Sequence, residues 1–273
     1  MALVKRIVSL LILSMVAISC YESEDVPEEE TVEPSEFTQK LLIEDYTGTW
    51  CVNCTGAGHA IETAEIENHR FVPVAIHFGE GENADPMHNS FSSDLVAEYN
   101  PSEAFPQVNL NRNEAIWAND YLTSTLTAKL NRYAPVGLAI NSTLVNSTTI
   151  NVTVSVGFVE ETTAVENYKL VVYLLEDGLI YPQHNGSLTD LPDIIEDYEH
   201  NNVLRFSLTN LFGDNLPNQI ANDHRYVRVF DSVTIPNTIA DNSKLKIVAF
   251  VLDKNDFCLN VQVAPINSNK DFD

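Results

Sequence analysis

The stretch Thr49-Trp50-Cys51-Val52-Asn53-Cys54 follows directly on an apolar run, residues 40–46 (KLLIEDY), and precedes a segment of helical spacing, residues 54–70 (CTGAGHAIETAEIENHR). Two cysteines with two residues between them serve as a redox pair, as half of a zinc site, or as a staple on a loop. Zinc needs a second close pair or histidines at ligand spacing. The other two cysteines, Cys20 and Cys258, are far away, and the seven histidines (59, 69, 77, 88, 184, 200, 224) are never closer than eight residues to one another. No metal ion and no cofactor is therefore expected. An exported chain meets oxidising conditions, in which a disulfide between Cys51 and Cys54 is permitted.

The local order sharpens the reading: a strand runs into a tryptophan, then Cys-x-x-Cys, then a helix. Cys51 is expected at the helix N-terminus, where unpaired backbone N–H groups stabilise a thiolate and make the sulfur a nucleophile. Cys54, one turn on, is placed to resolve a mixed disulfide. This arrangement resembles a thioredoxin-type domain. The resemblance implies that Asp45, six residues before Cys51, is a buried carboxylate taking the proton of the second cysteine. It also implies that Pro106, in Phe105-Pro106 at the start of the next strand, is a cis proline facing the disulfide. Trp50 and Phe105 are the supporting aromatics of that site. The sequence departs from the family in places. Val52-Asn53 carries neither proline nor histidine, Gly56 and Gly58 lower helix propensity, and Phe105 is bulky beside a substrate groove. Glu44 adjoins Asp45, so a shift of roles by one residue stays open, as does a plain turn role for Asp45.

The front of the chain reads as a lipoprotein. Lys5 and Arg6 precede an apolar run too short to span a bilayer comfortably, which is the pattern of a signal peptide over residues 1–20. Ala17-Ile18-Ser19-Cys20 resembles a lipobox, with Cys20 as the lipidated residue; a plain secretory signal is the alternative. Residues 21–38 form an acidic tether, with eight acidic residues and no Lys or Arg between 21 and 36, which cannot bury enough apolar surface to fold. The formal charge of −24 over 273 residues excludes a nucleic-acid partner. The membrane partner is expected through the lipid anchor rather than through charge.

Residues 39–134 alternate strand and helix. A second strand is expected at 71–79 (FVPVAIHFG), helices at 91–100 and 114–134, and a short strand at 104–112 (AFPQVNLNR). Helix 54–70 is expected to turn Ala60, Ala64, Ile61 and Ile66 to one side, and helix 114–134 to stack Ile116, Tyr121, Leu122, Leu126 and Leu130, with Trp117 in the core. From 135 the period becomes two: Ile150, Val152, Val154, Val156 and Phe158 share one face. Residues 168–178, 226–235 and 244–253 continue as strands, with 246–263 as one hairpin. In 257–262 the alternation puts Cys258 with Asn260 and Gln262, opposite Phe257, Leu259 and Val261. Residues 191–206 and 208–224 read as connections. The fold class expected is an α/β thioredoxin-like domain (39–134) followed by an all-β immunoglobulin-like sandwich (135–273). Asp253, Asn255 and Asp256 read as a polar turn rather than a calcium loop, His59 as solvated, and the Asn-x-Ser/Thr triplets at Asn141, Asn146, Asn151 and Asn185 as incidental.

The blocks LLIEDYTGTWCVNC (41–54), AFPQVNLNR, YLLEDGLIYPQ (173–183), HNNVLRF (200–206), LFGDN (211–215) and KIVAFVLD (246–253) together resemble the outer-membrane-protein-28-related lipoproteins of gram-negative bacteria. That resemblance implies an outer-membrane, lipid-anchored placement, with exposure at the cell surface as one expectation. Two functions follow from different classes. One is a thiol–disulfide oxidoreductase acting on exported proteins through Cys51, Cys54, Asp45 and Pro106. The other is a surface binding or adhesion lipoprotein, with host or exported proteins as partners and the disulfide structural.

Overall fold

The computed structural model describes residues 37–116, 126, 129–159, 167–218 and 224–273. Cys20, the signal segment, nearly all of the tether, and Trp117, Tyr121 and Leu122 lie outside the described residues. Strand β1 (Leu41–Thr47) leads into the cysteine turn, helix α1 (Cys54–Glu67) follows, and β2 (Phe71–His77) returns parallel to β1, with Leu41 opposite Phe71 and Thr47 opposite His77. Every residue of β1 and β2 is buried. Residues 71–76 of β2 and 41–43 of β1 therefore read as continuous apolar runs rather than alternating ones, while Glu44 and Asp45 of β1 are buried acids. Helix α2 (Ser90–Tyr99) is capped by the Asn89 side chain, which accepts from the Ser92 N–H. Strand β3 (Gln107–Leu110) then pairs antiparallel with β1, and β4 (Glu114–Ile116) with β3.

Two expectations fail here for identifiable reasons. Glu114–Ile116, expected to open a long helix, is strand β4. Asn111 and Arg112 adopt left-handed conformations (φ 46° and 78°) that fold the chain back on β3, and Arg112 is held there by contacts that local propensity does not see. Leu126 and Leu130 of that segment are buried against Ile61 and Ala64 of α1, as the stripe requires. On α1, Ala57, Ile61 and Ala64 face the core, but Ile66 is 70% exposed. Five residues along a helix turn a side chain about 140° away, so Ile61 and Ile66 cannot share a face.

The second half contributes β5 (Val136–Asn146), β6 (Thr149–Phe158), β7 (Lys169–Glu176), the short strands β8 (Leu179–Ile180), β9 (Gln183–His184), β10 (Ile194–Ile195) and β11 (Glu199–His200), then β12 (Val203–Ser207), β13 (Asp214–Asn215), β14 (Arg225–Thr234), β15 (Leu245–Leu252), β16 (Cys258–Pro265) and β17 (Asn269–Lys270). The connections expected over 191–206 and 208–224 thus contain strands: β10 pairs with β9, β11 with β8, and β12 and β13 with β7. Three of these four pieces are only two residues long, so they leave little periodicity.

One large sheet runs in the order β16-β15-β7-β12-β2-β1-β3-β4, and a four-stranded sheet in the order β14-β6-β5-β17. The expected domain boundary at 134/135 does not divide the large sheet, because β12 joins β2 where Val203 lies opposite Ala75. Strands β7 and β15 are apolar on both faces. Leu170, Val172, Leu174, Ile247, Ala249 and Val251 meet β5 and β6, where Ile150, Val152, Val154, Val156 and Phe158 face inward as expected. Val171, Tyr173, Leu175, Val248, Phe250 and Leu252 pack instead with Leu95 and Val96 of α2 and with β2. At the level of class the chain is β-rich, with mixed and antiparallel sheets and few helices. Among the described residues no helix is long and apolar enough to cross a membrane.

The expected facing of Cys258 is overturned. A bulge sets Val251 opposite Asn260 and Leu252 opposite Cys258, leaving Leu259 as the extra residue. An inserted residue reverses the alternation, and Cys258, fully buried, joins Val261 in one core while Leu259 packs into the other. Burial pushes its thiol pKa well up, the opposite of a reactive cysteine.

Candidate functional site

Cys51 and Cys54 form a disulfide with an S–S length of 2.03 Å, and both are buried, at 4% and 3% exposure. Cys54 is the first residue of α1; Cys51 stands in the turn before it, its carbonyl accepting from the Cys54 N–H at 3.2 Å. Trp50 fixes the approach to this turn. Its indole N–H donates to the Phe78 carbonyl at 2.8 Å, and the ring lies against both Gly48 and Gly79, where an added Cβ would come within 2.6 Å and 2.5 Å of Nε1. The Phe105–Pro106 peptide is cis. Phe105 stands edge-on to Trp50 with ring centroids 5.4 Å apart and stacks on Phe78 at 5.8 Å, which ties that peptide to the cysteine turn through aromatic packing.

Strand alternation separates the two neighbouring acids of β1. Glu44 lies on one face, fully buried, 3.3 Å from the Arg112 guanidinium. Arg112 is itself fully buried, stacked over Tyr99 and Phe250, and donates to the Tyr173 hydroxyl at 2.8 Å. Burial, partly offset by Arg112, pushes Glu44 up to about 7. Asp45 points to the other face, where Asp45 and Thr47 of β1 and Pro73, Ala75 and His77 of β2 line a cavity of about 350 Å³. Cys54 lines the same cavity. Asp45 is 7% exposed and its Oδ1 meets no hydrogen-bond donor among the described residues. Burial, partly offset by the charge of His77, pushes its carboxyl up to about 7.

His77, Tyr198 and His200 belong to the cavity wall, and Asp85 stands behind His77. His77 donates from Nδ1 to Asp85 Oδ2 at 2.9 Å, and Asp85 also accepts from the Thr49 and Met87 N–H groups, both at 2.8 Å. Burial alone would raise the Asp85 carboxyl, but the hydrogen bond and charge of His77 and the two amides outweigh it and hold it low. The His200 ring stands edge-on to His77 at 5.0 Å, and burial together with the charge of His77 pushes it down to about 3, so it is neutral. Tyr198 reaches over α1 at Gly58, where an added Cβ would lie 3.3 Å from its hydroxyl. Burial and then the charges of Asp45 and Glu62 push that hydroxyl up to about 12.

A segment from the second half covers the cysteine turn. Residues 183–187 run beside residues 49–53: the His184 N–H donates to the Thr49 carbonyl at 2.8 Å, the Gly186 N–H to Val52 at 2.7 Å, and the Ser187 hydroxyl to Asn53 at 3.3 Å. Gln183, buried, donates from Nε2 to the carbonyls of Gly48 and Cys51 at 3.2 Å and 3.1 Å. Asn185 accepts from the Thr55 hydroxyl at 2.9 Å and holds its own loop through Leu188 and Pro192, so this triplet asparagine is buried structure. His59 is exposed, and Asp253 closes the β15–β16 turn by accepting from the Asn255 and Phe257 N–H groups. Among the described residues no group of three His, Cys, Asp or Glu is arranged to hold a metal ion.

A family model described as "Outer membrane protein Omp28" matches residues 93–270. The chain belongs to the Omp28 family. Membership places it at the outer membrane. The matched residues begin inside α2, so Cys51, Cys54 and Asp45 precede them, while Pro106, Gln183, Tyr198 and His200 fall within them. The Omp28-family chain shares its fold with HBP35 of Porphyromonas gingivalis, at a TM-score of 0.67 and 18% identity over 86% of this chain and 77% of that one. A domain of the outer membrane lipoprotein Omp28 from the same organism aligns at a TM-score of 0.33 and 20% identity, covering 49% of this chain and 89% of that one. No curated protein matches.

Sequence reading of this Omp28-family chain named the disulfide, Asp45, Trp50, Phe105 and Pro106. It missed His77, Asp85, Gln183, Tyr198 and His200. Gln183 and the cysteines are more than a hundred residues apart, and a lone Gln-His in a turn-rich stretch carries no periodicity to mark it.

Proposed function

We propose that this outer-membrane protein is a lipid-anchored thiol–disulfide exchanger that works through Cys51–Cys54, with exported proteins or their thiols as partners. The carrying observation is Asp45: a buried carboxylate with an unpartnered oxygen, lining the same cavity as Cys54. A carboxyl held near neutrality beside a cysteine accepts and returns a proton at the working pH. The β1-α1-β2-α2-β3 order, with Cys51 just before α1, Cys54 opening it and a cis proline just before β3, supports reading residues 39–134 as thioredoxin-like. The two facing sheets support reading residues 135–273 as a sandwich. The anchor at Cys20 and the acidic tether rest on sequence pattern. The fully extended tether reaches at most about 70 Å from the membrane.

One observation favours a second reading, a surface binding or adhesion lipoprotein with a structural disulfide: the clamp of Gln183 and residues 184–187 over the turn. A disulfide closing so short a loop stabilises by about 2 kcal/mol in the chain-entropy model, little return for a dedicated staple. The reduction potential separates the readings. Equilibrated against a thiol buffer, a value between roughly −120 and −270 mV is expected for an exchanger, whereas a value below roughly −300 mV marks a structural bond and overturns the proposal.

A further inference from the structure

The cavity opens on Cys54 and not on Cys51. Cys54 is among its lining residues and Cys51 is not; the Cys51 backbone is instead held by Gln183, and the turn around it is covered by residues 184–187. A polypeptide substrate approaching Cys51 along this turn meets backbone that is already hydrogen-bonded. The reachable route to the disulfide is the cavity of about 350 Å³, which suits a small molecule. Its charge is one-sided. Asp45 projects into it without a partner, and Glu62, Glu65, Asp177 and Glu199 also line it. The basic groups of the lining are already engaged: Lys246 is ion-paired with Asp177 at 2.8 Å, and His77 is bonded to Asp85 at 2.9 Å.

We infer that the cavity admits low-molecular-weight thiols carrying a primary ammonium group and presents Cys54 as the sulfur they attack. The inference rests on the exchange chemistry proposed above and narrows its partners from exported proteins to small thiols. The thiol sulfur, giving its proton to the Asp45 carboxylate, bonds to Cys54 Sγ as the Cys51–Cys54 bond breaks. The electron pair leaves on Cys51 Sγ, which takes up a proton. A second thiol attacks the mixed disulfide at the small molecule's sulfur, releasing Cys54 as thiolate and then thiol. Two small thiols are oxidised to one disulfide, and the protein disulfide is reduced to two thiols. The acidic wall holds the ammonium.

The test uses soluble full-length protein after Cys20, with cysteamine, 2-mercaptoethanol and 2-mercaptoethanesulfonate as cationic, neutral and anionic probes. Reduction rates are divided by each probe's rate against a neutral small disulfide, at low and at 0.5 M salt. Early time points are quenched with an alkylating reagent and mapped by mass. Expected are a normalised preference for cysteamine over the sulfonate of about tenfold or more at low salt, smaller at high salt, and its loss in the E62Q/E65Q variant. Trapped intermediates carry the probe on Cys54 and the alkyl group on Cys51. The probe on Cys51, a preference that survives E62Q/E65Q, or no mixed disulfide at all overturns the inference. A potential within the exchanger range with the probe on Cys51 refutes this route alone, whereas a potential below roughly −300 mV refutes the exchange function itself.

Discussion

Gln183 donates a hydrogen bond to the carbonyl of Cys51 at 3.1 Å, across 132 residues of sequence. The same amide nitrogen reaches Gly48 and the carbonyl of His184 at 3.2 Å and 3.0 Å, so one buried side chain joins the cysteine turn to the second half of the chain. Replacing Gln183 by Ala removes the hydrogen bonds to the Cys51, Gly48 and His184 carbonyls, leaving Cys51 and Gly48 only the local N–H donors of Cys54 and Cys51. A loss of about 2 kcal/mol in denaturant unfolding is expected, together with faster reduction of Cys51–Cys54 by dithiothreitol. Unchanged stability and an unchanged reduction rate argue against the clamp.

Asp45 sets a pH dependence of known sign. Its folded carboxyl, raised from 3.8 to about 7 chiefly by burial, holds its proton where the unfolded chain has released it. The stability this contributes is complete below the unfolded value, is lost as pH climbs toward 7, and is gone above it. Asp45→Asn removes the effect. The stability of the variant relative to the native chain is expected to rise by about 3–4 kcal/mol between pH 3.5 and pH 8. Taking the difference between the two proteins cancels the titration of Glu44 and His200, and a flat difference refutes the assignment.

Arg112 and Glu44 form a buried pair, 3.3 Å apart and both fully buried. Arg112→Leu strands Glu44 without its counter-charge, and a loss of about 3–5 kcal/mol at pH 7 is expected. Adding Glu44→Gln recovers part of it. A double-variant loss equal to the sum of the two single losses would show that the pair is not coupled.

Gly48 gives the Trp50 indole its place, since a Cβ there would lie 2.8 Å from the Phe78 carbonyl oxygen as well as against the ring. Backbone cannot yield as a flexible side chain does. Gly48→Ala is expected to cost about 2 kcal/mol or more and to shift Trp50 fluorescence toward that of a solvated indole. An unmoved emission maximum would place the ring elsewhere.

Much of this protein is written locally. The apolar stretches within 41–47, 71–77 and 245–252 mark strands, and the alternation from Ile150 to Phe158 dictates which side meets the second sheet. The spacing of Cys51 and Cys54 permits the disulfide that the structure forms, because short-range geometry fixes what two residues three apart can do, whereas Asp45 is singled out only by resemblance to a thioredoxin-type domain. Tertiary structure decided the rest. One extra residue at Leu259 reversed the facing of Cys258, and the turn at Asn111–Arg112 made a strand of Glu114–Ile116. Strand β12 joined the two expected domains into one sheet. The closing of the turn by Gln183, and the meeting of His77, Asp85, Tyr198 and His200 behind Asp45, depend on contacts between segments far apart in the chain. Periodicity reports only which face of an element is buried, and it does not report which distant segment buries it.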